Sequence, residues 1–245
     1  MRSMSAILFA LPLLAQEKPP VRFSGSVQTG FASTFQLTLG GTFGDGPAWQ
    51  NRVTFNLHNV ARKGDTVYFQ GWQTFDTPSA SNDWLAGVWY RPADFKFGRN
   101  AVQVTGGLQR WRFPSVVKGT QDWLGAATAA WTARWKITPW AQAEFWDNFV
   151  SNWRSGQLLY MQAGTQHRLY QHDEFSLILK HGVASTRSWG FYDKYGWRVV
   201  RYVATVSANW RDYTLEAGLR PQHGLQPNIP DNVYWSVLLT RHFGR

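Results

Sequence analysis

The chain contains no cysteine, so disulfide staples, thiol nucleophiles and cysteine-ligated metals are excluded. It also lacks any stretch approaching roughly 18 consecutive apolar residues, which excludes an α-helical membrane span. One shorter apolar run, Ala6–Leu14 (AILFALPLL), follows Arg2 and precedes Ala15 and Gln16–Glu17. That arrangement reads as a secretory leader, with residues 1–15 removed and residues 16–245 forming one domain. No basic run accompanies the formal net charge of +10. A nucleic-acid partner is therefore not expected of this exported chain, and the dispersed charges fall to a lumen, loops and lipid headgroups.

What the sequence does contain is long period-two alternation. In Val233–Phe243 (VYWSVLLTRHF) the odd positions read Val233, Trp235, Val237 and Leu239, while Ser236, Thr240 and His242 fall on the other face. A soluble strand averages roughly 5–6 residues, whereas a tilted strand crossing a bilayer needs about 9–11. Comparable seams recur at Phe23–Leu39, Arg52–Val60, Thr66–Phe75, Trp84–Arg91, Ala101–Gln109, Trp123–Trp135, Trp140–Trp146, Gln157–His167, Phe175–Lys180, Arg198–Trp210 and Tyr213–Arg220. With the closing segment these make twelve. Splitting the first and counting Phe95–Phe97 would make fourteen. Long loops, the longest at His181–Trp197, alternate with mostly short turns such as Arg62–Asp65, Ile137–Pro139 and Arg211–Asp212. An aromatic content of 16% is enough for interfacial girdles. A propeller or sandwich explains short strands but not this combination of strand length and loop alternation.

The closing segment resembles the C-terminal recognition strand of bacterial outer-membrane proteins, in which alternate apolar residues lead to a near-terminal Phe, here Phe243. Arg241 and the trailing Gly244–Arg245 depart from that pattern. The resemblance implies an all-β chain folded as a transmembrane, antiparallel up-and-down β-barrel in the outer membrane of a Gram-negative-type bacterium. Its surroundings would be outer-membrane lipid and lipopolysaccharide. Periplasmic chaperones and the barrel assembly machinery would read Trp235, Val237, Leu239 and Phe243 as the assembly signal. No cofactor is expected.

In such a barrel the opposite parity faces the lumen. The charged residues expected there are Arg52, His58, Arg91, Arg134, Lys180, Arg201 and Arg220, against Glu144 and Glu216. A basic lumen with low-dielectric walls concentrates anions; the competing expectation is that these charges pair with the two Glu residues and fill a closed interior. Trp72, Trp89, Trp140, Trp146, Tyr160 and Tyr234 are candidate lumen aromatics. In size and basic lumen the chain is similar to small twelve-stranded porins such as the oligogalacturonate-specific family, which implies passage of small acidic or sugar-like solutes through a monomeric channel. Two other functions compete. One is a non-conducting structural or adhesion barrel. The other is an outer-membrane hydrolase, for which Thr240-x-His242 is the nearest nucleophile–base spacing. His167, His172 and Asp173 fit solvated turn residues better than a metal cluster. Asp193 and His181 would lie in the long loop, where an omptin-like protease site would need paired acidic clusters that are not evident. An autotransporter translocator also has twelve strands, but the alternation begins soon after the leader and leaves no passenger or pore helix.

Overall fold

The computed structural model describes residues 19–33, 35–36, 42–43, 46–76, 81–112, 121–133, 137–151, 156–191 and 194–244. In chain order the strands are β1 (Arg22–Ala32), the short β2 (Phe35–Gln36) and β3 (Thr42–Phe43), β4 (Ala48–His58), β5 (Thr66–Asp76), β6 (Ser81–Arg91) and the short β7 (Phe95–Phe97). They continue as β8 (Asn100–Arg112), β9 (Gln121–Ala133), β10 (Thr138–Ser151), β11 (Gly156–His172), β12 (Phe175–Phe191), β13 (Lys194–Trp210), β14 (Tyr213–Gly224) and β15 (Asn232–Phe243). Pairing runs antiparallel around β6-β5-β4-β1-β15-β14-β13-β12-β11-β10-β9-β8, and β8 pairs back to β6. The result is a closed twelve-stranded barrel. Closure pairs each of these twelve strands on both sides, which lets backbone groups facing lipid find their partners within the wall.

The seam that shuts the ring joins β15 to β1, from Gly25 opposite Phe243 to Ala32 opposite Ser236. On its outer face the Phe243 ring packs 6.1 Å from both Phe23 and Phe55. Gly25 makes that packing possible, since a Cβ there would meet the Phe243 ring at 2.4 Å. Trp235, Val237 and Leu239 point outward and are 44–45% exposed, as a lipid-facing wall requires. Arg241 also points outward, and its guanidinium lies 5.9 Å from the centre of the Tyr213 ring. With Trp210 stacked on Tyr213, it belongs to the aromatic belt at the end of the barrel that carries both described termini, the near end. There it can reach headgroups.

The near-end turns are compact. Asp173 and Arg211 take positive φ, 44° and 51°, in two-residue connections of the type that matches strand twist. The guanidinium of Arg211 donates from Nε to Glu174 Oε2 at 2.6 Å, tying one turn to the next. Between β4 and β5, the Asp65 carboxylate accepts the backbone N–H groups of Val60, Ala61 and Arg62 at 2.7, 2.9 and 3.0 Å and the Tyr90 hydroxyl at 3.3 Å. Burial favours the neutral acid, but these four donors outweigh it and hold the Asp65 carboxyl below the usual carboxylate range.

Several sequence expectations about element ends are corrected. β1 stops at Ala32 instead of running to Leu39. Ser33, at a bend, still accepts the Trp235 N–H on its hydroxyl and donates its own N–H to the Trp235 carbonyl, and Phe35–Gln36 pairs with Thr42–Phe43 in a small hairpin of its own. The expected longest loop, His181–Trp197, is strand for nearly its whole length. β12 continues to Phe191 and β13 resumes at Lys194, paired residue by residue apart from two bulges. Of the expected Asp147–Gly156 loop, Asp147–Ser151 belongs to β10 and Gly156 to β11, and Arg168–His172 of the expected Arg168–Asp173 link is the end of β11. As a result the described connections do not alternate cleanly between long and short. Phe95–Phe97 is a strand, but it pairs with the lower part of β8 while β6 pairs with the upper part. Pro92, which has no N–H, interrupts that column, so β7 continues the place of β6 and does not add a crossing. The segments 1–18, 37–41 and 113–120, together with Arg134, Trp135 and Asp193, lie outside the described residues.

Candidate functional site

Directly opposed residues of an antiparallel pair share a face, so the registers carry the inward side around the ring. β1 faces in at Gln28, β4 at Arg52, β5 at Trp72 and β6 at Leu85, each opposite the next. By the same bookkeeping His58, Arg91, Glu144, Lys180, Arg201, Glu216 and Arg220 lie on the inner face. So do Trp89, Trp140, Trp146, Tyr160 and Tyr234. On β5, whose faces were ambiguous from sequence, Tyr68, Gln70, Trp72 and Thr74 are inside and Val67, Phe69 and Gly71 are outside.

These residues divide into distinct neighbourhoods. A polar chamber of about 190 Å³ is lined by Gln50, Arg52, Trp72, Arg220, Tyr234 and Ser236. Arg52 and Arg220 make no hydrogen bond or ion pair with any described residue, and the Tyr234 hydroxyl, in a residue only 3% exposed, is also unsatisfied. Glu216 and Glu144 form no ion pair with a described residue. Glu144 instead accepts a 2.6 Å hydrogen bond from Gln142. Lys180 places its ammonium 4.0 Å from the centre of the Trp140 ring. The Arg201 guanidinium donates from Nε to Gln222 at 2.8 Å, and Arg91 donates to Thr66 at 3.4 Å. His58 bridges Ser24 and Thr66. The cross-lumen pairing of Arg with Glu that would mark the charges as structural filling is thus not formed among the described residues.

Toward the far end the inner face changes character. Ala48, Trp111, Leu124, Leu158 and Phe191 form a buried apolar cluster, with Trp72, Leu85 and Trp146 packed against it. Trp111 meets Trp146 edge-on at 4.8 Å and donates its indole N–H to Gln109 at 2.7 Å. Sequence reasoning did not single out this cluster. Its signal was present in the inward parity of β8, β9 and β11, where Trp111, Leu124 and Leu158 occupy positions that an open aqueous lumen would give to polar residues.

The remaining sequence candidates are dispersed. Thr240 accepts from Gln28 at 3.0 Å, whereas His242 contacts Thr214 at 3.2 Å, so the two serve different neighbours. His172 and Asp173 form an exposed pair at 3.3 Å in a near-end turn. His167 lies apart from them on the outer wall against His181, and His181 is in β12 instead of a loop. At the far rim Asp231 accepts the Gly224 N–H and a His223 contact, both at 2.9 Å, and these bonds keep its carboxyl below the usual range.

No protein-family model matches the sequence, and a search of curated proteins finds no match. Solved structures do match. The β domain of the Bordetella autotransporter BrkA aligns with a TM-score of 0.53 at 11% identity, covering 91% of this chain and 99% of that one. The translocator domain of NalP from Neisseria meningitidis gives 0.44 at 13% identity, covering 91% and 88%. A Rhodopseudomonas blastica porin gives 0.29 at 9%, covering 91% and 100%. The closed twelve-stranded ring and the BrkA likeness together define the fold as that of the outer-membrane β-barrels. At these identities the resemblance is one of fold, and it extends to no particular function within the class.

Proposed function

We infer that the barrel is a passive channel whose lumen favours small anionic solutes. The observation that carries this reading is the pair Arg52 and Arg220, two guanidiniums bordering one chamber, neither within ion-pair distance of a described carboxylate, with Glu216 acting on Arg52 only from farther away. Like charges gathered in a low-dielectric enclosure repel, and a mobile anion relieves that repulsion. Trp72 and Tyr234 add aromatic surface and an unsatisfied hydroxyl to the same chamber, which suits a solute carrying both an acid group and a ring or hydroxyls. Neutralising both guanidiniums with R52Q/R220Q, in planar bilayers under a salt gradient, is expected to move the reversal potential toward the cation side. An unchanged potential would remove these residues as the source of selectivity.

The apolar cluster at the far end favours a second reading, a barrel that does not conduct at rest. Occlusion by Trp111, Trp146 and Phe191 would leave the Arg chamber open only toward the near end. Absence of conductance steps from folded protein would select this alternative.

A further inference from the structure

On the outer wall of β11–β13 a polar cluster stands where only lipid tails are expected. Nε2 of His167 and Nε2 of His181 are 3.2 Å apart, and the Thr165 hydroxyl lies 3.0 and 3.1 Å from them. The Tyr202 hydroxyl is 3.2 Å from Nδ1 of His181. All four residues point outward by register, Thr165 opposite His181 and Val183 opposite both Ala163 and Tyr202. On β12, His181 sits midway between Phe175, in the near aromatic belt, and Arg187, which lies against Trp189 and Trp197 at the far belt. That is the middle of the hydrocarbon zone, out of reach of headgroups, where outward polar side chains are costly and partners scarce.

Hydrogen counting shows what the cluster lacks. The direct Nε2···Nε2 contact is a hydrogen bond only when one nitrogen is protonated and the other is not. If His181 carries its proton on Nε2, then Tyr202 donates to Nδ1 of His181, and Nδ1–H of His167 is left without an acceptor. If His167 carries its proton on Nε2, then Nδ1–H of His181 donates to Tyr202. The Tyr202 proton and the bare Nδ1 of His167 are then unmatched. The rim is thus donor-rich in one tautomeric state and offers the missing acceptor in the other. Two copies in the same state, related by a two-fold axis, satisfy each other: in the first state His167 Nδ1–H donates to the oxygen of the partner's Tyr202, and in the second the Tyr202 hydroxyl donates to the bare Nδ1 of the partner's His167, whereas acyl chains satisfy neither. Beside the cluster runs a concavity of about 500 Å³ whose lining includes Ala163 and Val183, the outward neighbours of Thr165 and His181 along their strands, together with Ala129, Ala141, Ala143 and Trp131. Small residues of this kind allow close approach of a second membrane protein.

The geometry points to this face as a self-association surface, on which a second copy of the chain packs about a two-fold axis through the His167–His181–Tyr202 cluster. This replaces the monomeric expectation with a symmetric dimer in the bilayer.

The cysteine-free sequence allows a direct test. V183C on this face and F69C on the outer wall of β5, across the barrel, are each oxidised in phosphatidylethanolamine/phosphatidylglycerol vesicles, with heat-dependent gel migration as the check that the barrel has folded. V183C is expected to give a covalent dimer and F69C to stay monomeric. Adding H167L/Y202F to V183C is expected to weaken association about tenfold. Should V183C fold poorly, A163C carries the same test. Equal crosslinking of the two faces, no dimer from either, an undiminished dimer in the triple variant, or in native membranes an adduct whose mass is not twice that of the chain would each overturn the inference.

Discussion

The apolar cluster at the far end gives the sharpest perturbation, W111A. Trp111 is 3% exposed, and an indole so buried removes roughly 200 Å² from water, worth roughly 5 kcal/mol at 25 cal/mol per Å². Its edge contact with Trp146 at 4.8 Å contributes about 1 kcal/mol more. The vacated space adjoins the lumen, so water can enter and soften the loss, which places the expected cost near the 3–5 kcal/mol typical of large-to-small core changes. The assay pairs urea unfolding with single-channel recording of the same preparation. The urea midpoint should fall in W111A, and conductance should rise because one of the two indoles of the constriction is gone. W111F, which keeps a ring at the site, should lie between W111A and the parent in both measurements. A W111A barrel with an unchanged midpoint and unchanged conductance would show that the indole neither packs nor occludes, and the constriction would have to be abandoned.

Other consequences are as accessible. F243A removes the ring that covers Gly25 and touches Phe23 and Phe55; a loss of about 2 kcal/mol at the closing seam should appear as a lower yield of heat-modifiable barrel during refolding. D65N keeps the shape of the turn but replaces a charged acceptor of three backbone N–H groups, and a loss of about 1–2 kcal/mol is expected at neutral pH by urea titration. Because the folded-state pKa of Asp65 is depressed, its contribution is fully present above the unfolded value of about 4 and is lost as pH falls below it. The difference between parent and D65N should therefore shrink on acidification, and a constant difference from pH 7 to pH 3 would contradict the assignment. K180M removes the ammonium beside Trp140 without breaking an ion pair, so it should lower anion preference while leaving folding nearly unchanged.

Period-two alternation carried the wall of the barrel legibly, because a strand between lipid and lumen must change partner environment at every residue. For this reason the inward placement of Arg52, Lys180, Arg201, Arg220, Trp140 and Tyr234 follows from parity alone. Strand ends were less legible for the same reason. Beyond the far aromatic belt both faces meet water, so the stretch from Ser188 to Phe191 and from Lys194 to Trp197 shows Gly, Ser and charge where it is still paired backbone. At Phe35–Gln36 the opposite error arises, since the parity persists where the backbone pairs with Thr42–Phe43 in a hairpin separate from the barrel sheet. Pairing inside the lumen was beyond the sequence altogether. Parity says that Arg52 and Glu216 point inward, but only the ring geometry shows that they do not form an ion pair, and that Trp111, Leu124, Leu158 and Phe191 converge from four different strands.

Anion preference through an aqueous lumen is tested most directly by the parent protein in a planar bilayer under a potassium chloride gradient. Discrete conductance steps with a reversal potential of the sign that chloride sets are the expected result. Steps with the sign that potassium sets, or folded protein that yields no steps, would contradict it.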